Sequence, residues 1–296
     1  MEGLENFVPL IKKSKGYEEL KKDVIDSGLC SGCGACAAFC SRVELTEDGS
    51  VPASDCNMLI GGVTCNVDGI CYDVCPHVSY SRTGLDKETF GDPRGDDTLG
   101  NYIKAHAVRA KDKEILKNAQ DGGAATALLL AAAKEGFADA SVVTNKDSSW
   151  AVDSKATADK KEISSAAGTK YARAPSILKL GENLRKTPRL AIVGTGCQVA
   201  GTRKLEKKLL ATLPKVDLTL IGLFCYENFP YSKLKVILEK GFGLTVEDVV
   251  KTDITKGKFN VWTKDGKQHA KPVKDFSEYA PESCRYARIS QQPIQT

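Results

Sequence analysis

Residues 190–205 read LAIVGTGCQVAGTRKL. The apolar run Leu190–Val193 has strand length, ends in Gly194-Thr195-Gly196 and at once delivers Cys197 and Gln198. A short continuous apolar run bounded by a glycine turn is the pattern of a buried strand. Residues 216–230, VDLTLIGLFCYENFP, repeat the design: an apolar run, then Cys225, then Tyr226, Glu227 and Asn228. Two such strands in one sheet bring both thiols to the same carboxyl edge, where α/β folds gather their binding groups.

Upstream the texture agrees. AHAVRA (105–110) reads as a short strand, Asp112–Asn118 as a polar helix and Ala124–Lys134 as a strongly apolar, alanine-rich helix. Gly136 stops that helix before a strand at Ala140–Val143. Helices alternating with buried-looking strands predict a mixed α/β core. Gln120-Asp121-Gly122-Gly123 precedes the apolar helix, and paired glycines there expose amides and the positive helix end to a phosphate or carboxylate. Thr126 adds a hydroxyl in the first turn. Alone this is a weak signal, and an ordinary turn explains it as well. SSAAGTKYARAP (164–175) gathers small residues, Gly168, Thr169 and Lys170 into one loop, with room for a ring against the backbone beside a positive charge. No G-x-G-x-x-G turn or Walker loop occurs, so a Rossmann dinucleotide fold is unsupported.

Further out lie the other thiols. Of eleven cysteines, eight fall within residues 30–75 and only Cys197, Cys225 and Cys284 beyond them. The stretch CSGCGACAAFC places Cys30, Cys33, Cys36 and Cys40 in the C-x2-C-x2-C-x3-C spacing that wraps an iron–sulfur cubane. Gly32 and Gly34 let amides approach sulfur with no side chain between them. A second run, CNVDGICYDVCP, keeps Cys65, Cys71 and Cys75 but has Asp68 in place of a cysteine. Cys30, Cys33, Cys36 and Cys75 are then the ligands of one cluster; Cys40, Cys65 and Cys71 belong to the other. Its fourth ligand is Asp68, a hard oxygen donor, or Cys56 from the intervening loop, unless the cluster has only three irons. Cys56 also reads as an ordinary buried thiol. Cys197, Cys225 and Cys284 could be three legs of a third cluster, although each alone reads as core packing.

Composition fits. With 42% hydrophobic and 27% charged residues the chain is that of a globular protein. Its net charge of +4 comes from scattered basic residues, which argues against a nucleic-acid surface. No stretch is long and apolar enough to span a membrane.

The blocks AQDGG, AAGTKY, GTGCQ, FCYENFPY and DITKGKF, in that order over about residues 100–286, resemble the beta subunit family of hydrogenases and dehydrogenases that use the deazaflavin coenzyme F420. The resemblance implies an α/β (α+β) flavin-binding domain over 101–296, preceded by a small bacterial-type two-cluster ferredoxin-like domain (1–85) and a linker (86–100). It also implies FAD as cofactor, coenzyme F420 as substrate, two [4Fe-4S] clusters with a third in prospect, and hydride transfer on the flavin without a catalytic side chain. Gln120, Gly122, Gly123, Thr126, Gly168, Thr169, Lys170, Tyr171, Gln198, Glu227 and Asn228 would serve the flavin or its phosphates. Cys197, Cys225 and Cys284 would hold a cluster beside it. The expected partner is a redox component of a hydrogenase, formate dehydrogenase, heterodisulfide reductase or membrane dehydrogenase complex, in the cytoplasm of an anaerobe or at the face of such a complex. One departure bears on the third cluster: Cys284 would open a C-x-x-C pair in the family, and here Ala287 stands in the second place. The chain also ends short of the family's further C-terminal segment. Two alternatives stand beside this reading, a ferredoxin-linked flavoprotein reductase of another organic substrate and a flavin-free electron-transfer subunit.

Overall fold

The computed structural model describes residues 15–40, 42–46, 52–54, 69–78, 82–91, 100–209 and 215–286. Nine strands form three sheets among these residues. A two-stranded ribbon pairs β1 (Val43–Leu45) with β2 (Pro52–Ser54). The central sheet holds β3 (Ala140–Lys146), β4 (Val152–Thr157), β5 (Arg189–Thr195) and β6 (Asp217–Leu223) in the order β4-β3-β5-β6. The β3–β4 pair is antiparallel, while β3–β5 and β5–β6 are parallel. A third, antiparallel sheet joins β7 (Val249–Thr255), β8 (Lys258–Thr263) and β9 (Gln268–Pro272).

The elements form where the chemistry favours them. Asp112 caps the helix Lys113–Asn118 by accepting from the Glu114 amide at 2.8 Å. The apolar helix Ala124–Lys134 packs Leu129 and Ala132 with Val143, Ile163 and Ala191. AHAVRA, read as a strand, is irregular. Residues 105–109 are exposed and no strand among the described residues pairs with them; the segment is tied at its end by Ala110 N–H donating to Gly122 C=O at 2.8 Å. Within the stretch read as part of the ferredoxin-like domain and linker, Arg82–Phe90 is a helix, tethered by Lys207 to Glu88 at 2.6 Å.

The cysteine-rich front shares its hydrophobic core with the central sheet. Val24, Cys33, Cys36 and Val74 are packed in one cluster with Ile177, Leu180, Leu190, Leu205 and Leu218. The seam is close. A Cβ on Gly181, in the helix Leu178–Asn183, would overlap the Ala38 carbonyl, and one on Gly201 would lie 2.8 Å from Ala35 Cβ. Lys204, on the helix Gly196–Leu209, donates to the Cys75 carbonyl at 2.5 Å across the same seam.

Around the third sheet a separate core is filled by rings. Phe259 on β8 is fully buried and lies 5.7 Å from Tyr171, 6.2 Å from Phe229, 5.9 Å from Phe242 and 6.0 Å from Phe276, ring centre to ring centre. The Trp150 indole, at the β3–β4 turn, donates to the Val249 carbonyl at 3.1 Å and so fastens the central sheet to β7.

Candidate functional site

The front thiols converge. A small cavity is lined by Cys30, Cys33, Cys36 and Cys75 together, with Ser31 and His77 at its wall. These are the four thiols that the spacing assigns to one cluster. Backbone amides turn toward them: Gly32 N–H donates to Cys30 Sγ at 3.4 Å, Ala35 N–H to Cys33, and the amides of His77 and Val78 to Cys75. Amide donors aimed at sulfur are how a protein hosts and tunes an iron–sulfur cluster. Burial raises all four thiol pKa values, because a thiolate is costly in an apolar wall unless a metal takes its charge. Of the second set, Cys40 and Cys71 are buried nearby, whereas Cys56, Cys65 and Asp68 lie outside the described residues.

The three distant thiols also meet. β5 and β6 run parallel and in register, so Cys197, two residues past β5, and Cys225, two past β6, reach the same sheet edge. The helix Glu282–Tyr286 brings Cys284 to them. Burial pushes Cys225 up to about 12, and the charges of Cys284 and Cys197 add to the shift. Cys284 Sγ accepts from the Asn228 amide. Cys197 is also close enough to Cys30 and Cys33 for its charge to reach both, so the two thiol groups are neighbours. Among the described residues no three His, Cys, Asp or Glu side chains close on a single ion. A multinuclear cluster gives each ligand its own iron and takes thiols set further apart.

Three buried polar atoms stand around the second group without a hydrogen-bond partner among the described residues: Glu227 Oε2, Asn228 Oδ1 and Ser283 Oγ. Orphans of this kind are rare in a native interior and fit a missing group. Glu227 is 8% exposed, and its other oxygen accepts from Ser277 Oγ at 2.8 Å.

Several of the residues read as flavin contacts are tied to one another away from the thiols. Gly123, at φ 72°, is the N-cap of the helix Ala124–Lys134 and makes no side-chain cap bond, an arrangement that suits a phosphate. Thr126 is buried in the first turn. Gln120 donates to Asp253 on β7 at 2.8 Å, and the Ile254 amide donates to Tyr171 Oη at 2.8 Å. The QDGG, AAGTKY and DITKGKF blocks are thereby locked together. Gly168, at φ 85°, passes beside the Asn118 carbonyl. Lys170 donates to the Ala166 and Ala167 carbonyls, and burial lowers its pKa to about 8, with the Lys146 charge adding. Gln198 is spent within the chain: it accepts from the Thr195 amide at 2.9 Å and donates to the Ala174 carbonyl at 2.6 Å, bracing the GTGCQ turn against the AAGTKYARAP loop.

Two residues went unread in the sequence. Asp253 sits inside DITKGKF and carries the Gln120 bond. Arg173, in AAGTKYARAP, is only 4% exposed, and its charge reaches both Cys30 and Cys284. A lone arginine in a small-residue loop was the only signal.

Comparison with known proteins gives the class. Residues 105–180 match the family model described as coenzyme F420 hydrogenase/dehydrogenase, beta subunit N-terminus, and residues 187–290 match its C-terminal counterpart. The coenzyme F420 hydrogenase subunit beta of Methanosarcina barkeri is 39% identical over 195 residues, 64% of this chain and 67% of that protein. A component of the F420H2 dehydrogenase of Methanosarcina mazei is 29% identical over 266 residues, 89% of this chain and 72% of that protein, so the alignment reaches into the cysteine-rich front. The coenzyme F420-dependent sulfite reductase of Methanocaldococcus jannaschii is 32% identical over 278 residues, 88% of this chain and 40% of that one. Among solved structures, a chain of the F420-reducing [NiFe] hydrogenase complex from M. barkeri superposes with a TM-score of 0.61 at 36% identity, covering 64% of this chain and 67% of that one. The fold and motifs thus define an F420-linked class of redox proteins. The chain belongs to the coenzyme F420 hydrogenase/dehydrogenase beta subunit family. Among the described residues no helix is long and apolar enough to cross a membrane.

Proposed function

We propose that this chain is an F420-linked electron-input module. Its α/β layer would hold FAD for hydride exchange with coenzyme F420, and its cysteines would hold iron–sulfur clusters for single-electron transfer to or from a partner subunit. The observation that carries the reading is the cavity shared by Cys30, Cys33, Cys36 and Cys75, with Cys197 of the second thiol group in electrostatic reach. Bound FAD would supply the two-electron to one-electron conversion, and bound clusters the one-electron steps.

The chain's own residues bind and orient. Gly122, Gly123 and the start of the Ala124–Lys134 helix offer amides and a positive end to phosphate, with Thr126 beside them. Gly168, Thr169, Lys170 and Tyr171 form the adjoining wall, held by the Tyr171–Ile254 and Gln120–Asp253 bonds. Cys30, Cys33, Cys36 and Cys75 hold one cluster; Cys40, Cys65 and Cys71, with Cys56 or Asp68, hold another; Cys197, Cys225 and Cys284 hold the third. No side chain moves a proton in the hydride step. In this reading residues 1–85 are the cluster domain, 86–100 the linker and 101–296 the flavin domain. Relatives named as subunits of F420 hydrogenase, F420H2 dehydrogenase and F420-dependent formate dehydrogenase support a partner subunit of such kinds, with heterodisulfide reductase a further candidate, and thus a hetero-oligomer; an anaerobic cytoplasm or the face of a membrane complex is the location this reading expects.

The test is an anaerobic optical titration of the full chain, reconstituted with FAD, iron and sulfide, with reduced F420. Oxidised deazaflavin appearing as flavin and then cluster absorbance bleaches is the expected result. Bleaching by reduced ferredoxin and not by reduced F420 would overturn the substrate assignment in favour of the ferredoxin-linked reductase.

A further inference from the structure

The run RKLEKK (203–208) has the composition of a solvated helix face, yet its three lysines reach across the seam to the front. Lys207 meets Glu88 at 2.6 Å and Lys208 meets Asp73 at 2.6 Å, and each of these pairs is electrically neutral. Lys204 differs. Its ammonium donates to the Cys75 carbonyl at 2.5 Å, so that bonded pair keeps a positive charge.

The helix is laid against the front so that this charge lands beside the thiols. Cys197, Gly201, Lys204 and Lys208 stand at i, i+4, i+7 and i+11 of Gly196–Leu209, on one stripe of its surface. Gly201 lets the stripe approach: a Cβ there would lie 2.8 Å from Ala35 Cβ and 3.8 Å from Pro76 Cδ. Ala35 precedes Cys36 in the chain, and Pro76 follows Cys75. One turn further along the helix, Lys204 is half-buried, with Cys75, Asp73 and Cys33 in reach of its charge. Burial lowers its pKa, and charge on those three groups raises it.

An iron–sulfur centre gains one negative charge when it is reduced. A fixed cation beside it favours the reduced form, most strongly where water does not screen the pair. We propose that Lys204 tunes the centre held by Cys30, Cys33, Cys36 and Cys75: its ammonium, held on the Cys75 carbonyl, raises the potential at which that centre accepts an electron. This rests on the reading of those four thiols as cluster ligands. Lys204 is a positioning residue, acting through Cys75.

The experiment is an anaerobic redox titration of the full reconstituted chain with dithionite, followed by EPR, with iron counted in every sample. The front signal is the one lost in Cys36→Ser. Lys204→Gln keeps a donor for the Cys75 carbonyl and removes the charge. At the midpoint of the unchanged chain it should lower the reduced-to-oxidised ratio of the front centre about tenfold, and Lys204→Arg should restore that ratio. Lys207→Gln removes an exposed charge and a tether from the same helix, and solvent screening should leave the ratio as it was. A ratio unchanged or raised in Lys204→Gln overturns the proposal, because a loosened tether admits water, which favours the more highly charged reduced form. An equal drop in Lys207→Gln, or no recovery in Lys204→Arg, overturns it as well. Lys204→Met, equally neutral, is judged by the same ratio if Lys204→Gln does not load iron. Failure of both neutral variants to load iron makes the lysine a structural tether, and the proposal falls. Cys36→Ser tells the two failures apart. If it costs neither iron nor signal, the underlying reading falls; if it costs both while Lys204→Gln shifts nothing, only the role of Lys204 falls.

Discussion

The core beside the front cysteines and the core around the third sheet solve one packing problem with different materials. On one side Phe259 sits among Tyr171, Phe229, Phe242 and Phe276, and ring edges against ring faces fill the space. On the other, the front sets Ala35, Ala38, Cys33, Cys36 and Cys75 among Leu20, Val24, Ile70 and Val74 and packs them with Ile177, Leu180 and Leu205. The aromatic flank carries its own apolar volume. The cysteine flank has a small cavity lined by its thiols, and on the proposed reading an inorganic core joins the side chains there.

The contrast breaks most visibly on metal removal. Stripping iron from the reconstituted chain should abolish slow amide exchange at Val24 and Val74 while leaving Val261 on β8 protected, as followed by hydrogen exchange and mass spectrometry. Equal loss on both flanks would mean that they do not differ in kind. Phe259→Ala should strike the opposite side, costing about 3–5 kcal/mol in urea unfolding and leaving iron content unchanged. Gly181→Ala probes the seam. Its Cβ would overlap the Ala38 carbonyl, so the front loop must shift, at a cost of about 1–3 kcal/mol. Gly222→Ala, whose Cβ would meet Val199 Cγ2 at an ordinary 3.5 Å, serves as the tolerated control in the same denaturation series.

The smallest effect is electrostatic. Burial lowers the folded pKa of Lys170 to about 8 from an ordinary 10.5, so the charged form is disfavoured in the fold. That penalty is full below about 8 and fades as pH rises toward 10.5, and stability of the ligand-free chain should therefore climb across that window. Lys170→Gln should flatten the climb in thermal melts, and a slope that persists unaltered would locate the effect elsewhere.

How much of this was legible in the sequence follows the range of the physics involved. The Ala124–Lys134 helix and the strand cores at 190–193 and 140–143 could be read because periodicity and glycine stops are local. The grouping of Cys30, Cys33, Cys36 and Cys75 was also readable, since three of the four lie within seven residues. AHAVRA misled because alternation alone does not supply a neighbouring strand. The Arg82–Phe90 helix was missed for the complementary reason: it has almost no apolar face, and the tether to it, Lys207, lies 119 residues away. The Gln120–Asp253 bond spans 133 residues, and the bonding of Gln198 to Ala174 depends on a loop packing that no spacing encodes. Glu227 was noticed, but its unmet oxygen appears only in three dimensions.

The shared core has a consequence for the lifetime of the chain. Val24, Cys33 and Cys36 are packed with Leu190, Leu205 and Leu218, so the front segment cannot loosen without uncovering one face of the central sheet. If the front thiols hold iron, damage to that cluster by oxygen is not confined to a loss of electron flow. It opens the apolar surface by which quality-control proteases recognise their clients. A chain that can no longer carry electrons would thereby mark itself for removal.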